Sequence, residues 1–250
     1  MFDNLKIMWH QGKQYIPDVR TAKVPGIFRG RPVITAVKVD EERLAGLCPA
    51  GAITTSPLCI DLGKCTFCGE CALHFKTKIS FTADYRLASN SRERLVVREG
   101  EERVISVDPL LVRKEVRRLF ANSLKLRQIS AGGDNSCEWE LNASNNVQFD
   151  MSRFGIEFVA SPRHADGIVI TGPITRNMAT ALEKCYNAVP DPKVIILVGT
   201  DAISGGIFAN TPAVDRSFLD RHKPDLYIAG NPAHPLTIIN GMLDLVKCKR

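Results

Sequence analysis

The second half of the chain alternates short apolar runs with amphipathic stretches. Four runs end in small or polar residues, namely FGIEFVAS, DGIVITG, KVIILVGT and DLYIAGN, which begin at residues 154, 166, 193 and 225. Each run has the length of a buried strand. Two further stretches predict helices, MATALEKCYNAV with Met178, Leu182, Cys185 and Val189 on one face, and LTIINGMLDLV at 236–246. Strands that alternate with helices predict an α/β fold with a parallel sheet covered on both faces.

The first half is less regular. Residues 1–30 contain Pro17, Pro25, Gly26 and Gly30, and they predict an irregular N-terminal arm. PVITAVKV at 32–39 predicts a strand, and the runs KISFTA, RLVVRE and ERVISV predict a small β-extension before residue 108. We therefore divide the chain into an arm (1–30), a small α+β segment (31–107) and an α/β domain (108–250).

A helix is predicted over 109–126. Asp108 and Pro109 have the pattern of a helix start, an N-cap followed by proline at the first helical position. The apolar residues after them recur at helical spacing: Val112, Val116, Leu119, Phe120 and Leu124. This stretch is also basic, with Arg113, Lys114, Arg117, Arg118, Lys125 and Arg127. Such a helix is either solvated or faces a partner or membrane arm. No aromatic-rich nucleic-acid motif accompanies it, so nucleic acid is not expected.

The composition is that of an ordinary globular protein. The 250 residues are 44% apolar and 24% charged, with a net charge of +6. No apolar stretch approaches the roughly 20 residues that span a bilayer, and the N-terminus lacks a secretory apolar region. We expect a cytoplasmic location, with membrane contact made through a partner. No G-x-G-x-x-G motif and no Ser/His/Asp or Cys/His constellation can be read, so neither a dinucleotide nor catalysis by this chain alone is indicated.

Four cysteines carry the strongest chemical signal. Cys65, Cys68 and Cys71 recur at two-residue intervals, and Cys48 precedes a proline. Three closely spaced thiols and a remote Cys-Pro are the ligands of a cubane cluster in bacterial-type ferredoxins. Zinc also accepts four thiolates, but its usual spacing pairs two separate Cys-x-x-Cys motifs. The sequence therefore predicts one [4Fe-4S] cluster, and electron transfer as the function.

The segment resembles one half of a ferredoxin that holds two clusters. The ligands of the other cluster are missing, since VKVDEERLAGL before Cys48 has no thiol and Phe75 stands where a further Cys-Pro would follow. All the missing ligands belong to the same cluster. Cys59 lies outside the ligand spacing and is predicted to be a small buried thiol.

The second half resembles a known family. Its PRHAD motif at 162–166, the turn from Gly172 to Met178, the PDP motif at 190–192 and the SGG motif at 204–206 follow in order. Together with AGGDNSCEWE they resemble the iron–sulfur small subunit shared by respiratory complex I and energy-converting [NiFe]-hydrogenases, over about residues 110–246. The resemblance implies a flavodoxin-like domain, a second cluster and a large-subunit homologue as partner.

The chain departs from that family at the ligands themselves. The resemblance implies four ligand places, which here hold Asp134, Cys137, Asp201 and Asn231, and Ala131 stands where hydrogenase-type members often carry an extra cysteine. One thiolate with oxygen ligands suits an iron–sulfur cluster poorly. We predict a vestigial site without a cluster, either closed by its own hydrogen bonds or adapted to another ion. The resemblance also places three residues beside this vestigial site, namely Glu138, an acid suggested to relay protons, Arg163 and His164.

The sequence thus predicts an iron–sulfur electron-transfer subunit of a multisubunit oxidoreductase related to complex I and energy-converting hydrogenases. It would lie on the cytoplasmic side, at the periphery of the inner membrane. The alternative is a structural or assembly subunit of such a complex, with no redox role. Nothing in the residues indicates whether the complex produces hydrogen or reduces quinone.

Overall fold

A computed structural model describes residues 2–12 and 14–247. The helices are α1 (Phe2–Gln11), α2 (Glu41–Gly46), α3 (Glu70–His74), α4 (Lys114–Phe120), α5 (Ser136–Ser144), α6 (Arg176–Ala188), α7 (Thr200–Ser204), α8 (Ser217–Arg221) and α9 (Pro235–Val246). The strands are β1 (Pro32–Ile34), β2 (Ile53–Thr54), β3 (Cys59–Asp61), β4 (Ile79–Phe81), β5 (Ala88–Ser89), β6 (Val96–Arg98), β7 (Leu124–Ser130), β8 (Ile156–Phe158), β9 (Gly167–Thr171), β10 (Val194–Val198) and β11 (Leu226–Ile228).

A six-stranded sheet forms the centre of the molecule. Its strand order is β5-β11-β10-β9-β7-β8, and all neighbours are parallel except the edge pair β11-β5. The strands β9 and β10 are buried along their whole length, as expected for a sheet covered on both faces. The predicted α/β fold is confirmed. The edge strand β5 comes from the range 31–107, so that segment also contributes to the main sheet.

Each face of the sheet has its own hydrophobic core. Because side chains alternate along a strand, Ile195 and Leu197 of β10 face one core, while Ile196 and Val198 face the other. The second core is filled by α4, α5 and α9, and nearly all of α9 is buried. The first core contains residues of α6 and α8 and is continuous with apolar residues of the 31–107 segment. The cysteine-rich segment therefore packs directly on the sheet.

The 31–107 segment itself contains two small antiparallel sheets. One pairs β1 with β4, and the other has the order β2-β3-β6. Helix α2 begins after Asp40, whose carboxylate accepts the backbone N–H of Arg43 at 3.0 Å. The strands predicted from KISFTA and RLVVRE are present as β4 and β6. Residues 102–107, predicted to form another strand, are not in a regular element.

The helix predicted over 109–126 is wrong at both ends. Asp108 accepts the N–H of Leu110 in a turn, and the helix α4 begins only at Lys114. It ends at Phe120, and Leu124 opens the strand β7. The error has a simple cause, because a separation of four residues fits both the 3.6-residue helical period and the two-residue strand period. Two of the six basic residues therefore lie on a strand.

The N-terminal arm also differs from its prediction, because residues 2–11 form the helix α1. The following stretch is tied to the rest of the molecule, since the N–H of Ile16 donates to the carbonyl of Gln148 and the hydroxyl of Tyr85 donates to the carbonyl of Val19. Among the described residues, none of the helices has the length and apolar character required to cross a bilayer.

Candidate metal centre

The four predicted ligand cysteines line one pocket. Cys48 follows α2, Cys65 and Cys68 lie in the loop after β3, and Cys71 lies in the first turn of α3. Cys65 is buried, Cys48 and Cys71 are half-buried, and Cys68 is exposed. The apolar wall of the pocket consists of Ala52, Ile53, Ile60 and Phe81. Soft thiol donors in an apolar surround are the setting that iron–sulfur clusters require.

The loop between Cys65 and Cys71 has a backbone shaped for close approach. Phe67 and Gly69 both adopt left-handed conformations, with φ of 54° and 84°. A Cβ at Gly69 would lie 2.8 Å from Nε of Arg29, so a larger residue would be strained by the positive φ and would have to displace the Arg29 side chain. The winding lets the N–H of Phe67 donate to Sγ of Cys65 at 3.3 Å.

A second sulfur also accepts a backbone donor, because the N–H of Ala52 lies 3.2 Å from Sγ of Cys48. Hydrogen bonds to ligand sulfurs stabilise negative charge on the sulfur and are one of the means by which proteins tune a cluster. The donor set and its hydrogen bonds therefore fit an iron–sulfur group.

Two of the four thiols hold their protons strongly. Burial raises the pKa of Cys65 to about 12, although the N–H of Phe67 opposes this, and the other three thiols add a smaller upward shift. Burial likewise raises the pKa of Cys71 to about 11. Because the charges of the other thiols raise the pKa of Cys65 and Cys71, the four sulfurs are near neighbours. Because metals bind the thiolate, occupation of the pocket would release protons.

Within residues 2–12 and 14–247, no three Cys, His, Asp or Glu side chains converge closely enough to hold one metal ion. A tetrahedral zinc site would need four sulfurs about 2.3 Å from one centre. A cubane would be bound at its corners, each thiolate by a different iron.

Two residues that sequence reasoning missed connect this loop to the rest of the molecule. Arg29 of the arm donates from Nη1 to the carbonyl of Phe67 at 3.1 Å. Thr200, at the start of α7, donates from its buried hydroxyl to the carbonyl of Cys65 at 2.8 Å. Neither contact has a sequence signal, because 38 and 135 residues separate the partners.

The four positions that the resemblance compares with cluster ligands, Asp134, Cys137, Asp201 and Asn231, lie after the carboxyl ends of parallel strands, and we call them the vacated site. Asp134 precedes α5. Its carboxylate accepts two hydrogen bonds from Ser136, from the backbone N–H at 3.0 Å and from the side-chain hydroxyl at 2.6 Å. These hydrogen bonds hold the pKa of Asp134 below its usual value. The carboxylate is thus engaged in local structure at the start of the helix.

Cys137 lies on α5 directly beneath the end of β10. A Cβ at Gly199 would meet its Sγ at 2.4 Å, so only glycine allows this approach. Burial raises the pKa of Cys137 to about 12, although the N–H of Ala233 acts in the opposite sense, and the nearby acids Glu138, Asp201 and Asp134 raise it further.

Asp201 completes a group of three neighbouring positions. Burial raises the pKa of Asp201, and the charges of Asp134 and Glu138 raise it further. Asn231 lines another pocket, with Phe28 and His234, between the arm and the start of α9. The fold therefore brings together Asp134, Cys137 and Asp201, and Asn231 lines the pocket beside the arm.

The loops at this site are held by the protein's own polar groups. The half-buried guanidinium of Arg216 donates to four carbonyls, those of Pro173, Asp201, Ala202 and Ile203, at 2.9 to 3.3 Å. Arg216 lies in the chain after the SGG motif and has no counterpart in the motifs read from the sequence. It ties the loop after β9 to the helix α7 that follows β10.

The remaining predicted residues have structural or solvent-facing positions. Glu138 is buried and accepts the hydroxyls of Ser130 and Thr171 at 2.5 and 2.7 Å. Arg163 and His164 lie in a short 3₁₀ turn and are exposed. Cys59 is buried in β3, where its thiol donates to the carbonyl of Pro57 at 3.2 Å, as predicted for a thiol outside the ligand set.

Comparison with known proteins matches the second half of the chain. Residues 135–245 match the family model described as "NADH ubiquinone oxidoreductase, 20 Kd subunit". The "Probable membrane-bound hydrogenase subunit mbhJ" of Pyrococcus furiosus is 34% identical over 116 residues, which cover 46% of this chain and 69% of that protein. Formate hydrogenlyase subunit 7 of Escherichia coli is 36% identical over 142 residues, which cover 56% of this chain and 53% of that protein.

A third relative is a subunit of an NADH-quinone oxidoreductase, from Heliobacterium modesticaldum. It is 42% identical over 111 residues, which cover 44% of this chain and 63% of that protein. The chain thus spans between 53% and 69% of the length of these three relatives. The family match begins at residue 135, after the four clustered cysteines.

Proposed function

The chain belongs to the family of the 20 Kd subunit of NADH ubiquinone oxidoreductase, and from this premise we propose that it is an iron–sulfur electron-transfer subunit of a multisubunit oxidoreductase. In this proposal one [4Fe-4S] cluster is held by Cys48, Cys65, Cys68 and Cys71. The single observation that carries the proposal is that four thiols from two separate parts of the chain line one apolar pocket.

The cluster, when bound, would supply one-electron transfer at a potential set by its surroundings. The chain's own residues determine those surroundings. Ala52 and Phe67 donate backbone N–H groups to two ligand sulfurs, and the apolar wall restricts water on one side. Cys68 is exposed, so the pocket is accessible from the protein surface on the side where a redox partner would approach.

The vacated positions limit the route that electrons could take. We infer that Asp134, Cys137, Asp201 and Asn231 hold no second cluster, because a carboxylate pair and an amide are poor ligands for iron–sulfur groups. Asp134 already accepts two hydrogen bonds from Ser136. A subunit with one cluster would pass electrons between partners at its first half, without the inner relay that family members carry.

The partners follow from the relatives. The three relatives described above are named as subunits of a membrane-bound hydrogenase, formate hydrogenlyase and NADH-quinone oxidoreductase. We propose that this chain likewise assembles with a large-subunit homologue, on the cytoplasmic side of such a complex. The loops after β9, β10 and β11 are the face that would meet that partner.

A structural or assembly role is the second candidate. It is favoured by the vacated site, where Arg216 holds the loops together with four hydrogen bonds and no metal is needed. A subunit kept only for its interfaces would retain the α/β core and would not need a reducible cluster.

Metal and sulfide analysis of anaerobically purified protein, with electron paramagnetic resonance (EPR) before and after reduction, tests the proposal. We expect about four irons and four sulfides per chain, and a signal that appears on reduction. Zinc without sulfide would overturn the cluster assignment. A cluster that never changes oxidation state would support the structural role. Cys68→Ser, compared with Cys185→Ser outside the pocket, should reduce host-complex turnover while leaving assembly intact.

A further inference from the structure

Thr200 joins the four-cysteine loop to the sheet. It follows Gly199 at the end of β10 and is fully buried. Its hydroxyl oxygen lies 2.8 Å from the carbonyl oxygen of Cys65 and 3.2 Å from that of Gly230. One short side chain is therefore in contact with both a predicted cluster ligand and the loop after β11.

The hydroxyl of Thr200 donates its proton to the carbonyl of Cys65. A threonine hydroxyl has one proton to donate, and the carbonyl of Gly230 already accepts the backbone N–H of Thr200 at 2.9 Å. Within the described parts of the chain, the carbonyl of Cys65 has no other donor. Because a buried carbonyl without a donor is unfavourable, this hydrogen bond fixes the backbone at Cys65.

The packing around this bond is equally close. A Cβ at Gly63 would lie 2.7 Å from Cγ2 of Ile203, so the chain just before Cys65 lies directly on α7. On the other side, Gly199 contacts the thiol of Cys137. Residues 199–203 thus contact both the four-cysteine loop and Cys137 of the vacated site.

We propose that Thr200 is a positioning residue for the four-cysteine centre. By holding the Cys65 carbonyl, it fixes the direction in which the Cys65 thiol projects relative to the other three ligands. The inference rests on the proposed function, since it requires that the pocket holds an iron–sulfur cluster. It assigns to a residue of the α/β domain a role in a centre whose ligands all lie in the preceding segment.

Two measurable consequences follow. Without the hydroxyl the ligand loop is less restrained, so a bound cluster should be lost faster. The hydroxyl also presents the positive end of its O–H dipole to the ligand backbone, which favours the more negative, reduced state of the cluster. Its removal should therefore lower the reduction potential.

The test compares Thr200→Val, which keeps the shape and removes the donor, with Thr200→Ser, which keeps the donor. Thr237→Val is the matched control, because Thr237 is also buried and its hydroxyl donates to the carbonyl of Tyr85 at 2.8 Å. The readouts are the midpoint potential from EPR-monitored titration and the rate of iron transfer to a chelator. Thr200→Ala takes the place of the valine variant if the latter does not fold.

We expect Thr200→Val to release iron on the order of tenfold faster and to have a lower midpoint potential. Thr200→Ser should restore both values, and Thr237→Val should change neither. Unchanged potential and release in Thr200→Val, with a wild-type protein that holds its cluster, would overturn this inference and leave the proposed function intact. A wild-type protein that binds no iron and sulfide would remove both.

Discussion

The four-cysteine pocket and the vacated site contain thiols of similar character. Cys65 and Cys137 are both buried, and burial raises the pKa of each to about 12. Their neighbours differ. Around Cys65 the nearest titratable groups are three more thiols, whereas around Cys137 they are carboxylates. A buried cysteine alone therefore says little about metal binding, and the kind of ligand beside it distinguishes the two sites.

The two regions also differ in how their loops are held. At the four-cysteine pocket, backbone N–H groups of Ala52 and Phe67 point at sulfurs, a use of donors that benefits a bound anionic cluster. At the vacated site, the donors of Ser136 and Arg216 satisfy a carboxylate and backbone carbonyls of the protein itself. One region directs backbone donors at thiol sulfurs, and the other directs its donors at the protein's own oxygen acceptors.

The largest expected effect comes from removing one thiol from each region. Cys65→Ala should reduce the iron content from about four per chain to a small fraction, because a cubane that loses one of four thiolates is readily lost. Cys137→Ala should leave the iron content unchanged, since its neighbours are oxygen ligands. Iron and sulfide analysis of both variants, prepared anaerobically, measures the contrast. Equal iron loss in both would mean that Cys137 takes part in cluster binding.

A smaller effect is expected from Arg216→Met, which removes the donor to four carbonyls at the vacated site. The variant should lose about 3 kcal/mol of unfolding free energy, because several buried carbonyls lose their partner at once. Arg221→Met is the control, as Arg221 is exposed and makes one ion pair with Glu183, worth less than about 1 kcal/mol.

Urea unfolding of the cluster-free proteins provides the measurement. Working without the cluster separates the two regions, since the loss in Arg216→Met should be the same with and without iron. If its stability instead fell no further than that of Arg221→Met, the vacated site would not depend on Arg216.

The sequence predicted the sheet strands best where a run was buried on both faces. VIILV in β10 has no polar residue, and its length and flanking glycine leave a strand as the simplest interpretation. Leu124 was misassigned because it continues the helical spacing of Val116 and Phe120, although Ala121–Ser123 turns the chain before it. Local periodicity cannot show where one period gives way to another.

Long-range polar contacts were beyond sequence reasoning for a different reason. Thr200 and Arg216 are ordinary polar residues in loops, and their roles depend on carbonyls that only the folded chain brings to them. The grouping of the four cysteines could be read because three of them have a short, regular spacing in the sequence, whereas a hydrogen bond across 135 residues imposes no spacing. The grouping of the four cysteines in one pocket could thus be predicted, and the contacts that support their loop could not.

The smallest expected effect distinguishes two neighbouring carboxyls of the vacated site. Hydrogen bonds from Ser136 lower the pKa of Asp134 from 3.8, while burial, with the charges of Asp134 and Glu138, raises the pKa of Asp201 from the same value. Asp134 therefore stabilises the fold at pH values above 3.8, and this contribution is lost as the pH falls through its lower folded pKa. Asp201 has the opposite effect on stability, because its ionised form is unfavourable in the folded protein. It therefore destabilises the fold above its raised folded pKa, and this penalty disappears as the pH falls towards 3.8.

Asp201→Asn should consequently raise the melting temperature at about pH 7 and leave it nearly unchanged at about pH 3, where the carboxyl is protonated in both states. Asp134→Asn should lower the melting temperature at about pH 7, with a loss that shrinks in acid, because an amide accepts the two Ser136 donors less strongly than a carboxylate does. Thermal unfolding followed by circular dichroism across this range gives both curves. If the melting temperatures of both variants shifted in the same direction at neutral pH, the two positions would share one electrostatic environment. The proposed contrast, between a carboxylate engaged by hydrogen bonds and one with a burial penalty, would then be wrong.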